Sequence, residues 1–394
     1  MNESSEYLTP ESQPASAATM RRRPSIGLPS PSDKSERRFP LTPEAAGILA
    51  ERGYEVRIEA GAAAPIHYDD TAYMRQGAIV TSRAEAMEAD MVITPGRLSA
   101  ADIKSMRRGA MLLTLLHSVD CCAATIRELL HRNIVTIALD LIGDSDGHTP
   151  FADILDEING RAAMALASSM LASSDHGKGI LLGGVAGIIP CEVLILGAGI
   201  AGRAAASSAL GLGASVRMLD NDVYRLRRAA ELPGCAAATS VLHPRVLENA
   251  LRTADVVVAT PMERPCAISA EQTVLMKRGV IIMNLYGDGH TLCPSLPEVD
   301  MGAPHTLDAV PKDSRICYTG VGNAVPRTAA MALSNTLISM LTHIADCDGA
   351  LSTMRMLPGV QRAVATFLGK PVNRRVAAKA GLRPIDISLL LSCS

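Results

Sequence analysis

The stretch Val193–Asp220, VLILGAGIAGRAAASSALGLGASVRMLD, decides the fold. Four apolar residues of strand character run into Gly197, Gly199 and Gly202, spaced GxGxxG. A helical segment follows, then SVRML as a second strand, then Asp220, 18 residues past Gly202. Each glycine has a physical task. Gly197 permits a tight turn, Gly199 lets backbone approach a pyrophosphate, and Gly202 lets the helix pack closely on the strand. The helix start supplies amide donors and the positive end of a dipole. Gly197, Ala198, Gly199, Ile200, Ala201 and Gly202 therefore read as a phosphate cradle. An acid at the end of the second strand accepts from ribose hydroxyls, so Asp220 favours NAD. Arg225, Arg227 and Arg228 lie just beyond. They read either as partners for a 2′-phosphate or as a solvated helix face, which leaves NADP the less favoured cofactor.

Outward from this motif the chain alternates. SIGLP (25–29), YEVRIEAG, ADMVITP (89–95), AMLLTLLH (110–117) and NIVTIALD (133–140) read as strands. LTPEAAGILAERG (41–53) and CAATIRELLHR (122–132) read as helices, with Thr42 as N-cap and Pro43 in the first turn of the former. EVLILG, SVRMLD, DVVVATP, GVIIMNLYGD and RICYTG form a second series. Such alternation implies parallel βαβ units. Ala/Met/Leu-rich segments at 158–173 and 328–343 predict long helices. The expected fold class is α/β: two Rossmann-like lobes with parallel sheets, joined by long helices, with the active-site cleft between them. The expected division is a disordered tail over 1–20, a substrate domain from 21–155 plus 328–394, and an NAD-binding domain over 156–327.

Bulk properties narrow the partners. The chain has 394 residues, a formal charge of −2 and 48% apolar residues. That balance gives no reason to expect nucleic acid or an anionic membrane surface. The nine cysteines contain no CxxC pair, which argues against a disulfide framework or a metal site and for a cytoplasmic setting. The first 20 residues have no apolar core of a secretory signal. The apolar run Gly179–Gly202 is long enough for a membrane span, but its glycines are better explained by the nucleotide loop.

With these motifs in place, the sequence resembles the family of alanine dehydrogenase and the transhydrogenase alpha subunit, and within it alanine dehydrogenase most. The resemblance rests on RFPLTPEAAGILAERGYEV, LLHSVD, GKGILLGGVAGIIPCEVLILGAGIAG, GDGH and NAVPRTAAMALSN, and covers about residues 25–375. It implies reversible NAD-dependent oxidative deamination of L-alanine to pyruvate and ammonia by a homo-oligomer, usually a hexamer. It places Arg38 on the arginine that clamps the substrate carboxylate, with Arg37 a neighbouring competitor. It places His117 on the catalytic histidine, Asp288 on the catalytic aspartate, and Arg225 on a basic residue near the adenosine. The residue types suit the chemistry. A guanidinium grips a carboxylate through two parallel bonds. A histidine moves protons near neutral pH. Arg327 in AVPRT reads as fixing a helix start or closing the cleft. His290 reads as surface, and Cys121 and Cys122 as helix-start packing.

Departures from the family pattern cluster at the cleft. Gly96 stands where the family has an active-site lysine, with Arg97 one residue later. Arg97 reads as a substrate-binding stand-in, but arginine stays charged and cannot exchange a proton as lysine does. Ser30 replaces a second lysine, Asp156 a serine near the pyrophosphate, Gly320 an asparagine near the nicotinamide, and Asn284 an acid. Three readings stay open: an alanine dehydrogenase, a dehydrogenase of another small amino or keto acid, and a nucleotide-binding or transhydrogenase alpha-like protein with little catalysis.

Overall fold

The structure, a computed structural model, describes residues 24–392 apart from 121, 145, 175–176, 232–236, 288, 304–313, 346–354 and 356. The expected tail, Cys121 and Asp288 lie outside the described residues.

Short apolar runs bounded by turn residues make the strands. In chain order they are β1 (Ser25–Leu28), β2 (Glu55–Glu59), β3 (Ile79–Thr81), β4 (Met91–Ile93), β5 (Met111–Thr114) and β6 (Val135–Ala138). There follow β7 (Glu192–Leu196), β8 (Ser215–Asp220), β9 (Ala238–Val241), β10 (Val256–Ala259), β11 (Ile281–Asn284), β12 (Glu298–Asp300) and β13 (Ile316–Thr319). The last two are β14 (Val364–Phe367) and β15 (Lys370–Pro371). β10, VVVA, is buried at every residue, as a strand covered on both faces must be.

Among the described residues these strands form two sheets. One has the order β15-β14-β6-β5-β4-β1-β2-β3, the other β12-β13-β11-β10-β7-β8-β9. The second is parallel throughout. The first is parallel from β3 to β6, but β14 runs antiparallel to β6 and β15 antiparallel to β14. The expected parallel α/β sheets are thus present, and the first carries an antiparallel edge in addition. Leu368 and Gly369 both have positive φ, 48° and 71°. Two such residues make a tight hairpin whose twist matches antiparallel strands.

The expected long helices are present at Pro150–Ala172 and Pro326–Ala345. The first passes between the two cores. Its Phe151 and Leu155 bury in one, and its Ala162, Ala163, Met164, Ala167 and Leu171 in the other. Gly160 allows this helix to lie against the helix Ile200–Gly211, since a Cβ there would come within 2.2 Å of the Ala201 carbonyl oxygen. The second long helix packs Ala330, Leu333, Leu337 and Leu341 into the first core. Truncating one such leucine to alanine costs about 2–5 kcal/mol. Thr42 caps the helix Pro43–Glu51 as its sequence predicts, and its own N–H donates to Ser334 Oγ at 2.8 Å. No helix among the described residues is long and apolar enough to cross a membrane. The apolar run instead supplies β7 and the loop before it, where Ile189 is 90% exposed.

Candidate active site

The order of the second sheet reverses at β7, which has β8 on one side and β10 on the other. Ligands of open α/β sheets sit at such a switch point, beyond the carboxyl ends of the strands. Gly197–Gly202 leaves β7 at that end. Gly197 has φ +103°, and a Cβ on it would strike Thr260 Oγ1 at 2.2 Å. A Cβ on Gly202 would strike the Gly197 carbonyl oxygen at 2.0 Å, so this glycine closes helix onto loop. Gly199 differs: its nearest neighbour would be Pro261 O at 3.7 Å, open space into which a ligand can approach. It is the N-cap of the helix Ile200–Gly211 and makes no side-chain cap. The donor set and the clear approach fit a pyrophosphate.

Ala198 and Ala201 are buried, and Ile200 half-buried, under the loop. Asp220 is buried, accepting the Ala198 N–H at 2.6 Å and the Asp222 N–H at 2.9 Å. Its carboxylate thus ties the loop to the end of β8, a bracing role the spacing alone did not reveal. Arg225 pairs with Asp222 at 3.5 Å, while Arg227 and Arg228 are exposed.

Facing this loop is the end of the first sheet. The strand expected over 110–117 stops at Thr114, and His117 sits in the short helix Leu116–Val119. Two side-chain bonds pin that turn. Asp140 Oδ1 accepts the Leu116 N–H at 2.8 Å, and Ser118 Oγ donates to the Pro95 carbonyl at 2.9 Å. His117 lines two cavities. One holds Arg38, Arg97, Ser118, Asn284, Tyr286 and Asn323, the other Asp140, Met262, Tyr286 and Arg375. Burial, together with the Arg38 and Arg97 charges, pushes the imidazole down to about 4. It is therefore neutral at pH 7. Burial holds the Asp140 carboxyl above its usual range.

Arg38 and Arg97 both reach the His117 cavity, but differently. Arg38 is 11% exposed and held by a two-pronged pair: Nε and Nη2 donate to the two oxygens of Glu36 at 2.8 and 2.5 Å. Arg97 is 51% exposed and meets Asp33 only at 3.9 Å. Arg375 pairs with Asp120 at 2.7 Å. Glu36 and Arg375 were missed in the sequence, because neither lies in a strand-end motif.

The substituted positions are built into their surroundings. A Cβ on Gly96 would meet Pro31 Cβ at 2.5 Å and Glu36 Cγ at 3.0 Å, so no lysine fits there without moving the 31–36 segment. Gly320 has φ +62°, and a Cβ would strike Asp300 Oδ1 at 2.1 Å. Asn284 staples the turn after β11: Nδ2 donates to His290 O at 2.8 Å, and Oδ1 accepts the Tyr286 N–H at 3.1 Å. Ser30 donates its N–H to Glu59 at 2.7 Å. Burial, with Asp153 nearby, pushes Asp156 up to about 6.

Three other expectations are corrected or sharpened. His290 is not loose surface: it packs on the Tyr286 ring at 4.7 Å and its Nε2 lies 2.9 Å from Cys266 O. Cys122 is exposed rather than packed. Arg327 lies over the Tyr68 ring at 4.6 Å, which fixes the helix start.

Residues 27–157 match the model of the alanine dehydrogenase/PNT N-terminal domain, and residues 163–374 that of the C-terminal domain. The alanine dehydrogenase of Mycobacterium tuberculosis strain H37Rv is 30% identical over 365 residues, covering 91% of this chain and 97% of its own. That of Staphylococcus saprophyticus is 28% identical over 374 residues, covering 93% and 99%. A solved L-alanine dehydrogenase superposes with a TM-score of 0.78 at 25% identity, covering 90% of this chain and 98% of its own. A transhydrogenase from Sinorhizobium meliloti shares the fold, with a TM-score of 0.71 at 20% identity over 89% and 99% of the two chains. The chain belongs to the alanine dehydrogenase/PNT family.

Proposed function

We propose that the chain is an NAD-dependent oxidoreductase that oxidatively deaminates a small amino acid, with L-alanine the first candidate, and reverses the reaction with the 2-oxo acid and ammonia. Membership of a family of dehydrogenases and transhydrogenases supports nicotinamide-linked redox chemistry. The observation that carries the reading is His117, a neutral imidazole flanked by two guanidiniums in a cleft facing a glycine loop with an open phosphate approach.

In this reading the lobe of residues 156–327 holds the nucleotide, and residues 21–155 with 328–394 hold the substrate, in a cytoplasmic homo-oligomer. The Gly197–Gly202 backbone takes the pyrophosphate, and Asp220 braces the loop and sets the preference for NAD over NADP. The bound nicotinamide supplies the hydride acceptor. Arg97, loosely held, takes the substrate carboxylate, because the fork of Arg38 is already filled by Glu36. Neutral His117 accepts the proton released from the substrate nitrogen, and Asp288, by resemblance, serves the water step. General acid–base assistance of this kind is worth about 10²–10⁴-fold.

The test is NADH formation from L-alanine, and its consumption with pyruvate plus ammonia, for wild type and His117→Ala. Turnover lost in the variant supports the reading. Nucleotide binding without turnover on any small amino acid overturns it. The blocked space at Gly96 favours, as second reading, a transhydrogenase alpha-like nucleotide-binding protein with little turnover of its own.

A further inference from the structure

The His117 cavity holds two pairs of opposite charge and closes only one of them. Glu36 and Arg38 neutralise each other through two hydrogen bonds. Asp33 and Arg97 line the same cavity but stand 3.9 Å apart, beyond hydrogen-bond length. Their side chains are 36% and 51% exposed, so each keeps a face open to a small ligand. Both are held in place by other atoms. Asp33 Oδ1 accepts the Ser35 N–H at 2.9 Å and the Ser35 hydroxyl at 2.8 Å, which leaves Oδ2 turned toward Arg97. The Arg97 carbonyl accepts the Ser32 N–H at 3.0 Å, so both residues belong to one braced segment. Burial works to raise the Asp33 carboxyl, but the Ser35 donors, with Arg97 and His117 nearby, hold it below its usual value. It is therefore ionised at neutral pH.

With His117 neutral and Glu36 and Arg38 paired, the cavity offers one negative and one positive group, side by side and loosely joined. A zwitterion complements that pattern, one charge to each group. A ligand with a carboxylate alone does not, because it must share Arg97 with Asp33 and places two negative charges together. We propose that Asp33 Oδ2 accepts an N–H from the α-ammonium of the substrate while Arg97 holds its carboxylate, so that the pair selects an amino acid over the hydroxy acid of the same shape. Asp33 is then a specificity-determining residue, and the same carboxylate receives ammonium when the reaction runs in reverse. The assignment rests on the amino-acid reading proposed above and names the residue that makes it one.

The test is titration calorimetry on the protein loaded with NADH, where neither L-alanine nor L-lactate can be oxidised. The two ligands differ only in ammonium against hydroxyl. Wild type should bind L-alanine at least about tenfold more tightly than L-lactate, the worth of one hydrogen bond to a charged group. Asp33→Asn keeps an oxygen for the Ser35 donors and removes the charge. It should weaken L-alanine binding by about that factor without weakening L-lactate, and an unchanged NADH affinity shows that it is folded. Arg97→Ala should weaken both ligands alike. In turnover, Asp33→Asn should raise the KM for ammonium and leave that for pyruvate in place. The wild-type preference retained in Asp33→Asn overturns this assignment alone. So does an equal loss of both ligands, the mark of a displaced segment, and so does a wild type that binds the two equally. A wild type that binds neither removes the small-amino-acid reading and this assignment together.

Discussion

Arg38 and Glu36, two residues apart, form a closed pair at the cleft wall: the guanidinium donates to both carboxylate oxygens, and the Arg38 N–H donates to Oε1 at 2.9 Å. The side chains are 11% and 8% exposed. An arginine read from sequence as a substrate clamp is already clamped from within. Arg97, which lines the same cavity, is held more loosely, by Asp33 at 3.9 Å.

Removing one partner strands the other. Glu36→Gln leaves Arg38 nearly buried without its paired carboxylate and should destabilise the fold by about 3–5 kcal/mol, read as a shift in the urea midpoint. The double variant Glu36→Gln/Arg38→Met should recover most of that loss, since no charge is left stranded. A single variant as stable as wild type would show that the pair is dispensable.

The depressed imidazole gives stability a direction with pH. His117 sits near 4 when folded, against about 6.5 in an unfolded chain. Between those values the unfolded chain binds the extra proton. This contribution is therefore complete above about pH 6.5 and is lost as pH falls toward 4, by about 3 kcal/mol in all. His117→Ala should flatten that part of the stability–pH curve measured by denaturant titration. Arg97→Ala removes one of the two guanidiniums that lower the imidazole, so the acid limb of the activity profile should move to higher pH. An unmoved limb would separate Arg97 from His117.

Asp140 anchors the turn that carries His117 through the Leu116 N–H. Asp140→Asn keeps an acceptor oxygen in place and should preserve kcat/KM within a few-fold. Asp140→Ala should lower kcat more than it raises KM and cost about 1–3 kcal/mol in stability, the price of an unmet buried donor. Equal behaviour of the two variants in turnover and urea titration would remove the anchoring role.

The loop glycines should separate binding from folding. Gly199→Ala meets nothing closer than 3.7 Å, so the melting temperature should stay within about 2 °C while NADH affinity falls at least about tenfold. Gly202→Ala collides with the Gly197 carbonyl at 2.0 Å, and both stability and affinity should drop. Differential scanning fluorimetry beside calorimetry reads the two effects. Loss of stability in Gly199→Ala would show that its open face is not a ligand approach.

The sequence by itself determined the alternating α/β order, the Thr42-capped helix, the two long helices and the glycine loop. Each is encoded within about one element's length, by hydrophobic period, capping residues and glycine spacing. Its resemblance to a known family also brought His117 and Arg38 forward. Only the tertiary structure decided what those residues face. Glu36 fills the fork of Arg38. Pro31 closes over Gly96, and Asp300 over Gly320. Asp140 and the Pro95 carbonyl hold the His117 turn from the ends of two other strands. The antiparallel edge at β14 and β15 was likewise hidden, because it depends on two positive-φ residues in a hairpin far along the chain from its partner β6. Charge pairing and steric closure depend on distances between segments remote in sequence, and local periodicity carries no record of those distances.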